Sequence, residues 1–263
     1  MSFPLLSDPE SEIIERFGIL NTLVETDDHP WFGIPFPGTY VVNADGIITA
    51  KFFESNLALR ANSDQLRRAA LGEEIVIDSA PPSEEVTVEV MFDGDSLAVG
   101  VVRDLLIRLG VPEGQHLYGE PVPNGMVATS IEMDESVGVI VLDPQLPPTH
   151  PHTLQGTGEE LQIFDGDVLI RIPITHNQRS TVERDDGSRV VPISGTVRWQ
   201  SCDDEICNLP ATYRFELDVP AVGSNVPAVR PKEGSTRMDF RKHFSAMKHR
   251  HDEPKQETSE CGS

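Results

Sequence analysis

Two cysteines stand five positions apart in Val197-Arg-Trp-Gln-Ser-Cys202-Asp-Asp-Glu-Ile-Cys207-Asn-Leu-Pro210. Four intervening residues let the loop fold back and bring the two sulfurs within bonding distance, as a strand-to-turn reversal does. Closing so short a ring constrains the unfolded chain only modestly. An exposed, short-ring disulfide exchanges readily with an incoming thiolate. In that chemistry a partner thiolate attacks one sulfur, a mixed disulfide forms, and the second cysteine resolves it. Asp203, Asp204 and Glu205 lie between the cysteines. Their negative field raises thiol pKa values, which makes the reduced pair a sluggish nucleophile until a partner docks. A structural disulfide and two inert thiols are the alternatives that this spacing leaves open.

Other reactive side chains form weaker constellations. His150-Pro-His152 carries two imidazoles but no cysteine or carboxylate at metal-ligand spacing, and reads as a loop. His249, His251 and Cys261 lie in the C-terminal tail, where Cys261 reads as an exposed free thiol. His116 and Tyr118 project to one face if their segment is a strand, either into a core or beside the cysteine pair. Trp31 and Trp199 read as packing residues. No cofactor and no metal are expected.

The elements that must position the cysteines come from a chain of 263 residues with a net charge of −22. That length suits one or two domains and a core that does not depend on disulfides. The acidic excess repels phosphate, so nucleic acid and an anionic membrane surface are excluded as main partners. No apolar run reaches the ~20 residues that span a bilayer. Three cysteines are too few for a disulfide-stapled fold. Residues 223–263 carry a net +2, against −24 for the first 222, and read as a disordered tail. Asp78-Ser-Ala-Pro-Pro-Ser-Glu-Glu85 reads as a linker, because paired prolines continue neither a helix nor a central strand.

Before the linker, Asp8 and Pro9 suit a helix start, followed by Ile13, Ile14, Phe17 and Ile19 on one face. Thr39-Tyr-Val-Val42 and Ile47-Ile-Thr-Ala-Lys-Phe-Phe53 flank Asn43-Ala-Asp-Gly46, a hairpin signal. Ser63 suits the cap of a helix that Gly72 ends. After the linker come many short β-rich runs separated by Pro112-Glu-Gly114, Asp165-Gly166 and Asp185-Asp-Gly187. Leu105, Ile107, Leu109 and Val111 alternate as in a strand, although a helix over 101–109 also fits the pattern. The whole reads as an all-β sandwich.

Two resemblances sharpen this reading. Phe3-Pro-Leu-Leu-Ser-Asp8, Pro35-Phe-Pro-Gly-Thr-Tyr-Val-Val-Asn-Ala-Asp-Gly46 and the following helix resemble the C-terminal half of the redoxin (AhpC/TSA, thioredoxin-like) family. Pro37 matches that family's cis-proline, but the reactive cysteine and the arginine before its strand have no counterpart here. This likeness implies either completion by another protein or a reading frame that begins upstream of Met1. The Cys202/Cys207 stretch, Gly114-Gln-His-Leu-Tyr118 and Asp165-Gly-Asp-Val-Leu-Ile-Arg-Ile-Pro-Ile174 resemble the N-terminal domain of DsbD thiol:disulfide interchange proteins, an immunoglobulin-like sandwich. That resemblance implies a mixed disulfide on Cys207 with Cys202 as its pair. It also implies a shielding cap loop, but the corresponding 154–161 stretch lacks the family's aromatic side chain.

The sequence thus predicts a partial α/β thioredoxin-like module (1–76), a linker (77–84), an all-β immunoglobulin-like sandwich (85–222) and a tail (223–263). The expected function is thiol–disulfide exchange through Cys202 and Cys207 with a thioredoxin-like or redoxin partner, without nucleic acid or membrane insertion. The alternatives are an interaction module braced by a static disulfide, and a peroxiredoxin-type antioxidant protein lacking its first half. Closely spaced cysteines without an N-terminal signal suit the cytosol. A start upstream carrying a signal would place the chain in the periplasm instead.

Overall fold

A computed structural model of the chain describes residues 8, 11–22, 35–53, 59–77, 81, 83–122, 125–153, 158, 160–203 and 206–223. The first elements are α1 (Glu12–Arg16), β1 (Gly38–Val42), β2 (Ile48–Phe53), β3 (Arg60–Ala61) and α2 (Ser63–Leu71). Then come β4 (Thr87–Phe92), β5 (Leu97–Ala98), β6 (Val101–Gly110), β7 (His116–Tyr118), β8 (Ser130–Met133) and β9 (Val139–Val141). The last are β10 (His150–Thr153), β11 (Glu160–Phe164), β12 (Asp167–His176), β13 (Val182–Glu183), β14 (Arg189–Trp199), β15 (Ser201–Cys202) and β16 (Ala211–Val222). Among the described residues no helix is long and apolar enough to cross a membrane.

The chain divides into two compact units, one comprising residues 40–50 and 58–227 and the other the remainder. In the smaller unit α1 is a five-residue helix, shorter than the sequence suggested. Asp8 does serve its start, its carboxylate accepting from the Ile14 N–H at 2.9 Å. Gly38 is dictated by packing, since a Cβ there would fall 2.3 Å from the Phe53 ring. The β1–β2 hairpin forms as expected. The Asn43 side chain accepts from the Asp45 and Ile47 N–H groups, and Gly46 takes a φ of 79°.

The larger unit is built of strands. One sheet runs β3-β6-β12-β9 with β4 also on β6, and another runs β13-β14-β16-β5 with β8 on β14. Leu105, Ile107 and Leu109 of β6 and Ile170, Ile172 and Ile174 of β12 are fully or almost fully buried. They share one core with Val191, Val197, Phe215 and Val219 of the other sheet. Alternate positions of each strand meet at this interface, as period-two patterning requires. The helix that the pattern also allowed over 101–109 is excluded, because β6 pairs residue by residue with both β4 and β12.

The thioredoxin-like module expected over 1–76 is not found among the described residues. The helix that suggested its end, with the short strand β3 before it, attaches to the sandwich instead. Arg60 and Ala61 pair in parallel with Val101 and Val102. The Asn62 amide donates to the Val102 carbonyl at 2.9 Å, and its oxygen caps α2 by accepting from the Gln65 N–H at 2.8 Å. Asn62, not Ser63, is therefore the cap, and Gly72 ends the helix at φ 66° as expected. Arg68 holds Asp93 with two bonds of 3.0 and 2.6 Å, and Arg103 reaches Asp64 at 3.2 Å. The linker read from the sequence lies where residues 78–80 and 82 are outside the described set.

One buried histidine should make the fold pH-sensitive. His176 is 2% exposed, with its ring nitrogens near the Ser180 hydroxyl (2.9 Å) and the Leu97 carbonyl (3.2 Å). Burial pulls its pKa below the ordinary 6.5. The unfolded chain therefore takes up a proton below about pH 6.5 that the folded chain refuses, and stability falls as pH drops. Thermal melts from about pH 7.5 down to about pH 5.5 should show a falling Tm, with a shallower slope in His176→Asn.

Candidate redox site

A third sheet, of order β10-β11-β7-β15, carries the cysteines. Its two faces serve different clusters. Leu117 and Phe164, directly paired, point into the main core. Their neighbours Tyr118 and Ile163 point the other way and join Leu161 and Cys202 in a second cluster. Cys202 lies opposite His116 in the β15–β7 ladder. Of the two places left open for His116 and Tyr118, core or beside the cysteine pair, the structure gives each residue both: they are buried, His116 lies opposite Cys202 and Tyr118 packs in its cluster.

The chain reaches this sheet by leaving another. Trp199 ends β14, and Ser201 and Cys202 then pair with β7. Gln200, 8% exposed, pins the crossing. Its side-chain oxygen accepts from the Val127 N–H at 2.9 Å, and its amide donates to the Asn208 carbonyl at 3.0 Å. Asn208 ties back to Ser201, donating from its backbone N–H to the Ser201 carbonyl at 2.9 Å and from its amide to the hydroxyl at 3.0 Å. Sequence reasoning missed both residues. The available signal was their position, polar side chains two residues before Cys202 and directly after Cys207.

Between these anchors the loop turns back. The Asp203 N–H donates to the Ile206 carbonyl at 3.0 Å, and the Ile206 N–H donates to the Asp203 carboxylate at 2.6 Å. Cys202 and Cys207 face each other across the turn with Cα atoms 4.1 Å apart, joined as a disulfide. Asp204 and Glu205, which the sequence reading used for their negative field, lie outside the described residues. So do residues 154–157 and 159 of the expected cap loop, Trp31, and the tail with His249, His251 and Cys261.

The two sulfurs are not equivalent. Cys202 is 0% exposed, whereas Cys207 is exposed. Beside Cys207, Ile206 and Leu209 are 64% and 88% exposed, an apolar rim on the same loop. The Tyr118 hydroxyl donates to the Cys202 sulfur at 3.0 Å and lies 3.4 Å from that of Cys207. Burial pushes the Tyr118 pKa above 10, so the phenol remains a hydrogen-bond donor at neutral pH. A donor fixed at the point where negative charge develops stabilises a departing thiolate. His150 pairs with Asp165 at 3.1 Å, and no group of three or more metal-ligating side chains occurs among the described residues.

The family described as "Thiol:disulfide interchange protein DsbD, N-terminal" matches residues 83–219. The match starts beyond 1–76, so it lends nothing to the redoxin resemblance read there. Among solved structures, the reduced N-terminal domain of DsbD from Neisseria meningitidis is 13% identical with a TM-score of 0.34, covering 54% of this chain and 90% of its own. The N-terminal periplasmic domain of ScsB from Proteus mirabilis is 18% identical with a TM-score of 0.37. This chain covers 49% of that one, and 54% of this chain is matched. No curated protein matches the chain.

Proposed function

The chain belongs to the family of DsbD N-terminal thiol:disulfide interchange domains, and on that premise we propose that its Cys202–Cys207 pair passes reducing equivalents between protein partners. A partner thiolate attacks the Cys207 sulfur. The bond between the two cysteines breaks, a Cys207–partner disulfide forms, and the electron pair departs on Cys202. A second thiol of the partner then attacks its own sulfur in the mixed disulfide and releases Cys207. The partner leaves oxidised and the domain leaves as a dithiol. The reverse sequence delivers those electrons to an acceptor disulfide.

The observation that carries this reading is the asymmetry of the pair. One sulfur is open to a partner and the other is buried against a hydroxyl donor. In-line attack requires access to one sulfur and stabilisation of the other. A thioredoxin-like protein suits the partner role, because its dithiol reacts through an exposed nucleophile. The chemistry operates in either compartment named above, the cytosol or an oxidising periplasm.

Accessibility in the reduced state tests the assignment. Limiting iodoacetamide added to the reduced full chain should label Cys207 well before Cys202, as read by peptide mass spectrometry. Equal labelling, or Cys202 first, would refute the assignment of Cys207 as the reacting sulfur.

A further inference from the structure

Opening the disulfide leaves a negative charge on a sulfur with no exposure to water. Burial disfavours a thiolate, so the step needs a proton or a cation close to Cys202. Tyr118 supplies a hydrogen bond, but its raised pKa makes it a poor proton source. The titratable group in direct register with Cys202 is His116. Side chains directly opposite on antiparallel strands have Cβ atoms about 5 Å apart on one face. His116 is 4% exposed and meets the Tyr118 ring edge-on, with centroids 5.4 Å apart at 75°.

Behind His116 stands a second imidazole. The His152 ring lies 4.9 Å from it, centroid to centroid, tilted by 39°. Both rings line a cleft of about 580 Å³ with Glu113, Gln115 and Asp165. The groups around His116 are thus Cys202 from β15, Tyr118 from its own strand, His152 from β10, Glu113 from the preceding turn and Asp165 from the β11–β12 turn. His150, further along β10, is already paired with Asp165. The cleft that both rings line gives the pair a route for proton exchange with water.

We propose that the His116–His152 pair holds the proton that quenches the Cys202 thiolate when Cys207 is attacked. The inference deepens the exchange reading and rests on it. With dithiothreitol as the probe, one of its thiolates attacks the Cys207 sulfur and the Cys202–Cys207 bond breaks. The electron pair goes to Cys202, which takes the imidazolium proton. The second dithiothreitol thiolate closes its ring and frees Cys207, which takes a proton from water. The imidazole regains its own proton through the cleft.

The test is the rate of reduction of the full chain by dithiothreitol between about pH 5.5 and about pH 8.5, spanning the imidazole range. Each rate is divided by the thiolate fraction of the reagent. The wild-type corrected rate should fall about tenfold as pH rises through that range, the equivalent of one pKa unit of stabilisation. His116→Phe keeps a ring against Tyr118 and should be flat, at the wild-type high-pH value. His116→Gln, a polar replacement, should also be flat and serves where the phenylalanine variant fails to fold by circular dichroism. A variant profile that overlays the wild-type limb, or a flat wild-type profile, overturns the inference while leaving exchange intact. A wild-type chain that dithiothreitol does not reduce at all overturns both.

Discussion

Cys202→Ser should turn the full chain into a trap for its redox partner. In a Cys261→Ser background, with the resolving sulfur gone, Cys207 remains exposed and forms a mixed disulfide that no internal thiol can break. Incubated with a thioredoxin lacking its own resolving cysteine and activated as a mixed disulfide, the variant should accumulate a covalent heterodimer on non-reducing gels. Cys207→Ser should yield essentially none, because Cys202 is 0% exposed. Either substitution should abolish net electron transfer, since one sulfur cannot carry a two-electron couple. Equal trapping by both variants, or trapping only by Cys207→Ser, would contradict the roles given to the two sulfurs.

The second large effect concerns the segment that precedes the family match. Arg68→Ala should destabilise the sandwich by about 2–3 kcal/mol, between the values for exposed and buried ion pairs. The pair is well shielded, with side-chain exposures of 16% for Arg68 and 10% for Asp93. Its loss leaves Asp93 beside Asp104, whose carboxyl is already held above the usual range by burial and then by Asp93 itself. The penalty should be largest near neutrality, where Asp104 carries charge, and should shrink as acid protonates it. Urea unfolding of the full chain at neutral and acidic pH measures both features. A variant as stable as the parent would show that α2 is not integral to the β-rich unit.

Those same contacts explain where the sequence misled. The hairpin over Asn43-Ala-Asp-Gly46 and the helix stop at Gly72 are local events, set by a side-chain turn and by left-handed glycines, and each was legible. Alternation in Leu105, Ile107 and Leu109 announced a strand because one face of β6 is uniformly buried. What local pattern cannot show is the partner of an element. A β-hairpin followed by a capped helix belongs to many folds, and over 1–76 it suggested a thioredoxin-like module. The structure pairs Arg60 and Ala61 with residues some forty positions later, a parallel contact that leaves no periodic trace. Even the cap moved by one residue, because Asn62 satisfies both the helix and the Val102 carbonyl while Ser63 can satisfy only the helix.

The site was legible to a similar depth. Cys202 and Cys207 were found from spacing, and their short loop does close. His116 and Tyr118 were placed on one face by strand period alone, which left open whether they reach the sulfurs. The crossing of Gln200 from one sheet to another was invisible, because its hydrogen-bond partners, Val127 and Asn208, lie on other segments. Burial of one sulfur and exposure of the other is likewise a product of that crossing.

The most direct test of exchange is equilibration of the oxidised full chain with reduced thioredoxin, at a poise of about −270 mV. Differential alkylation and mass spectrometry would count free thiols at Cys202 and Cys207 against oxidised thioredoxin. The account predicts that both cysteines become reduced, with one thioredoxin disulfide formed for each pair opened. A pair that stays closed in excess reduced thioredoxin, while the fold is intact, would make it a static brace and contradict the account.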